Sequence, residues 1–244
     1  MISRPGGGFR FLPANPVFAH GAVAEPGFAI VHGLLSRWLP LEQGYALAEH
    51  HLKAAGRPMQ ALCGMELRLP RQLSFEEYTA FNVPYVQRLE RWDVVHKRLN
   101  PVSRTNVAPA AGAPAEASLH AFTYTVPYDG TMKTFTMSGM VERGPGGSTI
   151  AQGDDSADGM QSKFAYVIGA VTDQIAEFGF KWGDATHVEL YTGAEVPGAF
   201  GALAVRASGA LARGIRWHHG RPPVVGLELE LEARAVLREE VVQV

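Results

Sequence analysis

The sequence predicts a mixed helix-and-strand protein in which one succession, strand–helix–strand–helix–strand–strand, occurs twice. Three observations predict it. Short apolar or alternating runs read as strands, two of the helical segments carry a clear 3.6-residue apolar period, and several landmark residues recur in register between the two halves of the chain.

The elements follow in order. Residues 27–36 are an apolar run and read as a buried strand. Residues 41–55 place Leu41, Tyr45, Ala48, Leu52 and Ala55 at helical spacing, with Gly56 as the stop signal. Residues 61–69 alternate as a strand does. Ser74 and Glu77 form a capping box that opens a second helix running to about Trp92, and Pro84 inside it predicts a kink or a break. Strands at 103–108 and 117–126 flank a Pro/Gly/Ala loop over 109–114.

From Lys133 the succession restarts with a strand over 134–142 and a Gly/Pro/Ser loop over 143–153. A long helix over 156–178 carries Phe164, Val167, Ile168, Val171, Ile175 and Phe178, and Gly179 ends it. A strand over 185–192, an Ala-rich helix over 198–213 and a strand or strand pair over 224–236 complete the order. In the last, Leu227, Leu229 and Leu231 fall on one face, while Glu228, Glu230 and Glu232 alternate as a polar face would. Gly33 matches Gly139, Gly56 matches Gly179, Glu66 matches Glu189, and His120-Ala121 matches Glu232-Ala233. This points to a tandem duplication with repeats over 1–128 and 129–244.

Composition bounds the function. Among 244 residues, 22 Lys+Arg face 24 Asp+Glu, and 46% apolar content suffices for a buried core. A net charge of −2 without a Lys/Arg run argues against a nucleic-acid groove or a polybasic membrane surface. The single Cys63 excludes an intrachain disulfide and a multi-cysteine metal site. No apolar run approaches the roughly 18 residues that span a bilayer, and the opening residues carry no signal-peptide core; a soluble, cytoplasmic protein is expected. Asp154, Ser156, Asp158 and Gly159 imitate the start of a calcium loop, but Ala165 stands where its closing Glu belongs. Neither glycine-rich run continues into a P-loop. His50-His51 and His218-His219 lack the i,i+4 spacing of a helical metal site.

Both halves resemble the reactive-intermediate deaminase (Rid) family, also written YjgF/YER057c/UK114. In the second half the resemblance runs from Phe135-Thr136-Met137-Ser138-Gly139, through Ile175-Ala176-Glu177-Phe178-Gly179 and Trp182-Gly183-Asp184-Ala185-Thr186-His187-Val188, to 229–236. In the first half Ala54-Ala55-Gly56, the helix 75–82 and Ser103-Arg104-Thr105 carry it. The resemblance implies an α+β, chorismate-mutase-like fold, two tandem domains each with a mainly antiparallel sheet covered by two helices on one face. It also implies a homotrimer, and hydrolysis of enamines or imines to carbonyl compounds and ammonia in clefts between sheets, with no metal or organic cofactor. One branch of the family deaminates 2-aminomuconate.

The resemblance assigns candidate residues. Arg104 occupies the place of the family's carboxylate-binding arginine, a role suited to a guanidinium fork. Arg221 and Arg216 compete for that place in the second half. Glu232 falls where the family has its water-orienting acid, and His120 replaces it in the first half, where a histidine can act as acid or base near neutral pH. Ser138 and Gly139 resemble the cleft-lining Ser-Gly, and Asn82 matches a site residue with Tyr78 on the same helical face. His218, beside Arg216 and Arg221, is a candidate for an acidic-substrate pocket, and His20 lies near the family's N-terminal cleft segment. The expected activity is deamination of a small carboxylated enamine or imine of the 2-aminomuconate type. A chorismatase-like lyase, a ring-opening amidohydrolase and a non-enzymatic ligand-binding protein are the alternatives.

Overall fold

The computed structural model describes residues 1–196, 198, 201 and 213–244. It is an α+β molecule in which two polar sheet faces meet across a shared interior, and each sheet turns an apolar face to helices on its outside. The Ala-rich helix expected over 198–213 falls on residues outside the described set, 198, 201 and 213 apart.

In the first half, β4 (Phe28–Pro40) leads into α1 (Leu41–Ala54), then β5 (Leu62–Arg68), α2 (Phe75–Arg91), β6 (Ser103–Pro109) and β7 (Ser118–Pro127). Strand β5 runs parallel to β6 and antiparallel to β7, which pairs antiparallel with β4. In the second half, β8 (Phe135–Met137) and β9 (Met140–Val141) precede α3 (Ala157–Glu177), followed by β10 (His187–Thr192), β11 (Arg216–His218), β12 (Gly220–Arg221) and β13 (Leu229–Arg234). Strand β10 runs parallel to β11 and antiparallel to β13, which pairs antiparallel with β9. Strand order and strand sense are therefore the same in both halves.

The helices form where their apolar stripes demand cover. Buried Gly44, Tyr45, Ala48 and Leu52 face α1 inward, and a Cβ on Gly44 would lie 2.5 Å from that of Leu119, so only glycine permits this close approach of helix to sheet. In α2 the Ser74 hydroxyl accepts the Glu77 amide while Glu77 accepts the Ser74 amide, closing the capping box. Pro84 neither breaks nor ends α2, which is continuous through Arg91 because packing of Asn82, Tyr85 and Leu89 outweighs one missing backbone bond. In α3, Phe164, Val167, Ile168, Val171 and Ile175 pack with Leu229, Leu231 and Ala233 of β13.

Three further features were outside the expected order. Strands β1 (Ile2–Arg4), β2 (Phe9–Pro13) and β3 (Ala19–Ala24) form a sheet with β8, so a strand of the second half is paired with the first. Strand β14 (Arg238–Val242) pairs parallel with β4, again joining the halves. The strand expected over 134–142 is two short strands, because at Ser138-Gly139 the chain leaves β3 and crosses to β13. No helix among the described residues is long and apolar enough to cross a membrane.

Alternation along β13 fixes the interior. With Leu229, Leu231 and Ala233 under α3, Glu230, Glu232 and Arg234 must point to the other sheet. The expectation of a solvated polar face is thus corrected: Glu230 and Glu232 are each 3% exposed, because the opposing sheet covers that face.

Candidate active site

A cavity of about 500 Å³ opens where α2 and β6 of the first half meet β9, β13 and the 222–227 loop of the second. Four residues of α2 reach it. Tyr78 and Asn82 continue the buried stripe of Tyr85 and Leu89 along one helix face, and Phe75 and Thr79 sit nearer the mouth. Asn15, Pro16, Val17 and Phe18, before β3, complete one side. The opposite wall is held by Gln72, whose amide reaches the carbonyls of Pro222, Val224 and Leu227 at 3.0, 3.0 and 2.8 Å.

Arg104 forms the floor. On β6 its neighbour Thr105 points to the other sheet and bonds Glu232, so Arg104 and Asn106 turn toward α2. Its Nε donates to Asn106 Oδ1 at 3.1 Å, and its Nη1 to Asn82 Oδ1 at 2.6 Å. Asn106 in turn donates to the Tyr78 hydroxyl at 3.1 Å. The guanidinium lies 4.0 Å from the centre of the Tyr85 ring, a cation–π contact that fixes its plane. Arg104 is 5% exposed, yet its Nη2 meets no acceptor among the described residues. Its backbone is braced by Ser138, whose hydroxyl accepts the Arg104 amide at 2.8 Å and donates to the Ala19 carbonyl at 2.6 Å.

Glu230 is the acid of this cavity. Its carboxyl packs against Gly139, where a Cβ would fall inside the carboxylate, so the Ser-Gly turn exists to admit it. Gly139 also donates its amide to the Arg104 carbonyl at 3.3 Å, which places the acid beside the arginine. The register of β13 is pinned by buried Glu142, which accepts the amides of Glu228 and Leu229 at 2.5 and 3.2 Å. Burial, and then the charge of Glu232, push the Glu230 carboxyl well above the ordinary carboxylate range. Its Oε2 is buried with no partner among the described residues. Two residues that line the same cavity thus each keep one buried, unpaired polar atom. Such groups are costly unless a ligand satisfies them.

Glu232 lies elsewhere, in an ion network between the sheets. Arg234 binds it and also reaches Glu189 at 2.9 Å, Glu66 at 3.3 Å and Glu239 at 3.4 Å. His32 stands between Glu66 at 2.8 Å and Glu239 at 3.0 Å. Burial and the Glu66 charge raise the Glu232 carboxyl to about 7 against the pull of Arg234. For Glu66 burial is outweighed by Arg234 and His32, which hold it well below the ordinary range.

The sequence-expected residues therefore divide. Arg104, Asn82 and Gly139 line the cavity, and Ser138 braces its arginine. His120, Arg216 and His218 line a separate space of about 100 Å³ against the ion network. His120 accepts the Trp38 indole N–H at 3.0 Å, and burial followed by the Arg68 charge keeps its ring neutral. Arg216 is half exposed and pairs with Glu239 at 3.0 Å, and His218 pairs with Glu189 at 2.7 Å. By register Arg216 opposes Glu189 as Thr105 opposes Glu66, so it does not occupy the position of Arg104. Arg221 sits on β12 at the edge of the first-half sheet and pairs with Glu228 at 2.7 Å. Its lining role is not supported, since neither it nor Glu232 borders the larger cavity. His20 contributes its backbone carbonyl to the Ser138 amide at 2.9 Å. Cys63 is fully buried, and burial pushes its thiol up, leaving it inert. Among the described residues no group of three His, Cys, Asp or Glu side chains could hold a metal ion.

Two sheets of the same strand order and sense, each backed on its outer face by helix, define a Rid-like protein, and its cavity is lined by a buried arginine and a carboxyl held well above the ordinary range. More particularly, the chain belongs to the family described as 2-aminomuconate deaminase CnbZ, whose model matches residues 1–240. It is 37% identical over 243 residues to the 2-amino-5-chloromuconate deaminase of Comamonas testosteroni, covering 96% of both chains. A chorismatase crystal structure superposes with a TM-score of 0.52 at 14% identity, over 89% of this chain and 77% of its own, and so shares the fold. A Rid-family protein from Yersinia pestis superposes with a TM-score of 0.33 at 18% identity, over 46% of this chain and 84% of its own.

Proposed function

We propose that this protein is a hydrolase that deaminates a 2-aminomuconate-type dicarboxylate, releasing ammonia and the 2-oxo acid or its enol. The observation that carries the reading is the pairing of Arg104 with Glu230 on one cavity. Arg104, already oriented by Asn82, Asn106 and Tyr85, offers its free Nη2 to the substrate carboxylate next to the reacting carbon. Glu230, protonated near neutral pH, gives its proton to the substrate nitrogen once the enamine has tautomerised to the imine. The carboxylate so formed takes a proton from water as that water adds to C2. Collapse of the carbinolamine breaks the C–N bond, so one water is consumed and one ammonia leaves. Membership in the 2-aminomuconate deaminase family and the deaminase relative support the substrate class. The matching strand orders support reading 1–128 and 129–244 as the two repeats, and the family resemblance supports a homotrimer in the cytoplasm.

The test is coupled detection of ammonia from freshly generated 2-aminomuconate, alongside imines made in situ by an amino-acid oxidase. The wild type should release ammonia from the muconate. Loss of the carboxylate clamp in Arg104→Ala should lower kcat/KM about 10³-fold, and Glu230→Gln should lower kcat by roughly 10²- to 10⁴-fold. Glu232→Gln should retain far more activity than Glu230→Gln. The reverse ranking would return the acid's role to Glu232, and no ammonia from either substrate would overturn the deaminase reading.

A further inference from the structure

The larger cavity has a second guanidinium, about two turns of α2 from the first: Arg143 packs against Phe75, whereas Arg104 bonds Asn82 and packs on Tyr85. Arg143 follows β9 and lies exposed among the lining residues, while Arg104 is buried at the floor. It is held ready rather than free to wander. Its Nε donates to the Gly147 carbonyl at 3.1 Å, and its guanidinium carbon lies 5.4 Å from the centre of the Phe75 ring. Its own carbonyl accepts the Tyr166 hydroxyl at 3.0 Å. Gly147 has φ +84°, and a Cβ there would lie 3.2 Å from Arg143 Nη2, so the turn that receives the guanidinium favours glycine twice over. Among the described residues no acceptor meets its two terminal nitrogens.

The wall they share is mostly apolar, with Val17, Phe18, Val141, Val224 and Leu227 among its residues. This is a site with two separated cations and a largely hydrocarbon-compatible lining. The acid within it, Glu230, is kept protonated and adds no opposing charge at neutral pH.

We infer that Arg143 is the specificity-determining residue that binds the distal carboxylate of an extended dicarboxylate, while Arg104 binds the carboxylate beside the reacting carbon. The inference rests on the deaminase reading for the identity of the substrate, but its geometry does not depend on that chemistry. Arg143 selects chain length and charge, and Arg104 with Glu230 handles the reacting end.

The test is calorimetric titration with two unreactive six-carbon dienes, cis,cis-muconate with two carboxylates and sorbate (2,4-hexadienoate) with one. Wild type should bind muconate about tenfold more tightly than sorbate, the equivalent of about 1.4 kcal/mol. Arg143→Ala should abolish that preference by weakening muconate alone, Arg143→Lys should restore part of it, and Arg104→Ala should weaken both ligands. Retained sorbate binding in Arg143→Ala shows that the variant is folded. Equal effects of Arg143→Ala on the two ligands, or no effect, would overturn the inference, as would a wild type without preference for muconate. An Arg143-dependent preference without ammonia release from 2-aminomuconate would defeat the deaminase reading and leave this clamp standing. Ammonia release without that dependence would do the opposite.

Discussion

Two regions of the interior are built from the same materials and differ in how completely they are paired. In the ion network, Arg234 spends both terminal nitrogens on four carboxylates, and His32 closes the gap between two of them. In the cavity, Arg104 is as deeply buried, yet among the described residues no carboxylate pairs with it; a buried atom without a hydrogen-bond partner occurs in both regions, Arg234 Nε in one and Arg104 Nη2 and Glu230 Oε2 in the other. Burying a charge is tolerated only when it is paired. The network's charges are therefore balanced within it, and the charge of the cavity's arginine is not. Charge, burial and conspicuous pKa shifts are common to both, so they do not separate structure from function here. The buried arginine without a carboxylate does.

Removing the hub of the network should give the largest effect. Arg234→Ala leaves Glu66, Glu189 and Glu232 buried around an absent cation, and should cost about 3–5 kcal/mol of unfolding free energy in urea titration. A loss below 1 kcal/mol would mean that the carboxylates are balanced elsewhere, and the contrast between the regions would fail.

A subtler change tests Glu232. Its carboxyl titrates near 7 in the fold against an ordinary value of 4.5, so the folded state holds its proton more tightly than the unfolded chain. The stability tied to that proton is fully present below the unfolded value and is lost as the pH rises through about 7. Glutamine does not titrate. Glu232→Gln should therefore gain on the wild type between pH 5 and pH 8, by about 1–3 kcal/mol. Paired urea titrations at the two pH values measure this, and a gap that narrows toward alkaline pH would assign the raised value to another group.

The smallest effect belongs to the network's rim. Arg216 is half exposed, and Arg216→Ala should cost no more than about 1 kcal/mol and leave ammonia release unchanged. Impaired release at normal stability would place catalysis at the smaller space with His120 and His218.

Much of this could be read from the chain before its fold was known. Helices α1, α2 and α3 announced themselves by period and caps, and the succession of core strands by alternation. Strands β1 to β3 did not, because Gly and Pro interrupt short runs that gain their order only from pairing with β8. Arg104, Asn82 and Gly139 were legible through the family resemblance. Glu230 was not, because Glu228, Glu230 and Glu232 repeat one residue type at every second position, and sequence carries no register to choose among them. The pairing of Glu230 with Val141, one residue past Met140 and two from Gly139, makes the choice. A glycine that must admit a carboxylate was the available clue.

The parallel pairing of β14 with β4 carries a consequence for how the molecule is made. Synthesis proceeds from the first half, whose β4 edge has no partner until residues 238–242 have emerged. Until then residues 31–35 of that strand present an open row of amide and carbonyl groups. Among the described residues its partner is β14, the most sequence-distant contact in the sheet, and contacts of that kind form slowly. The half that is translated first is thus finished last, and during the interval it is the part of the nascent chain most exposed to pairing with a neighbour on the same message.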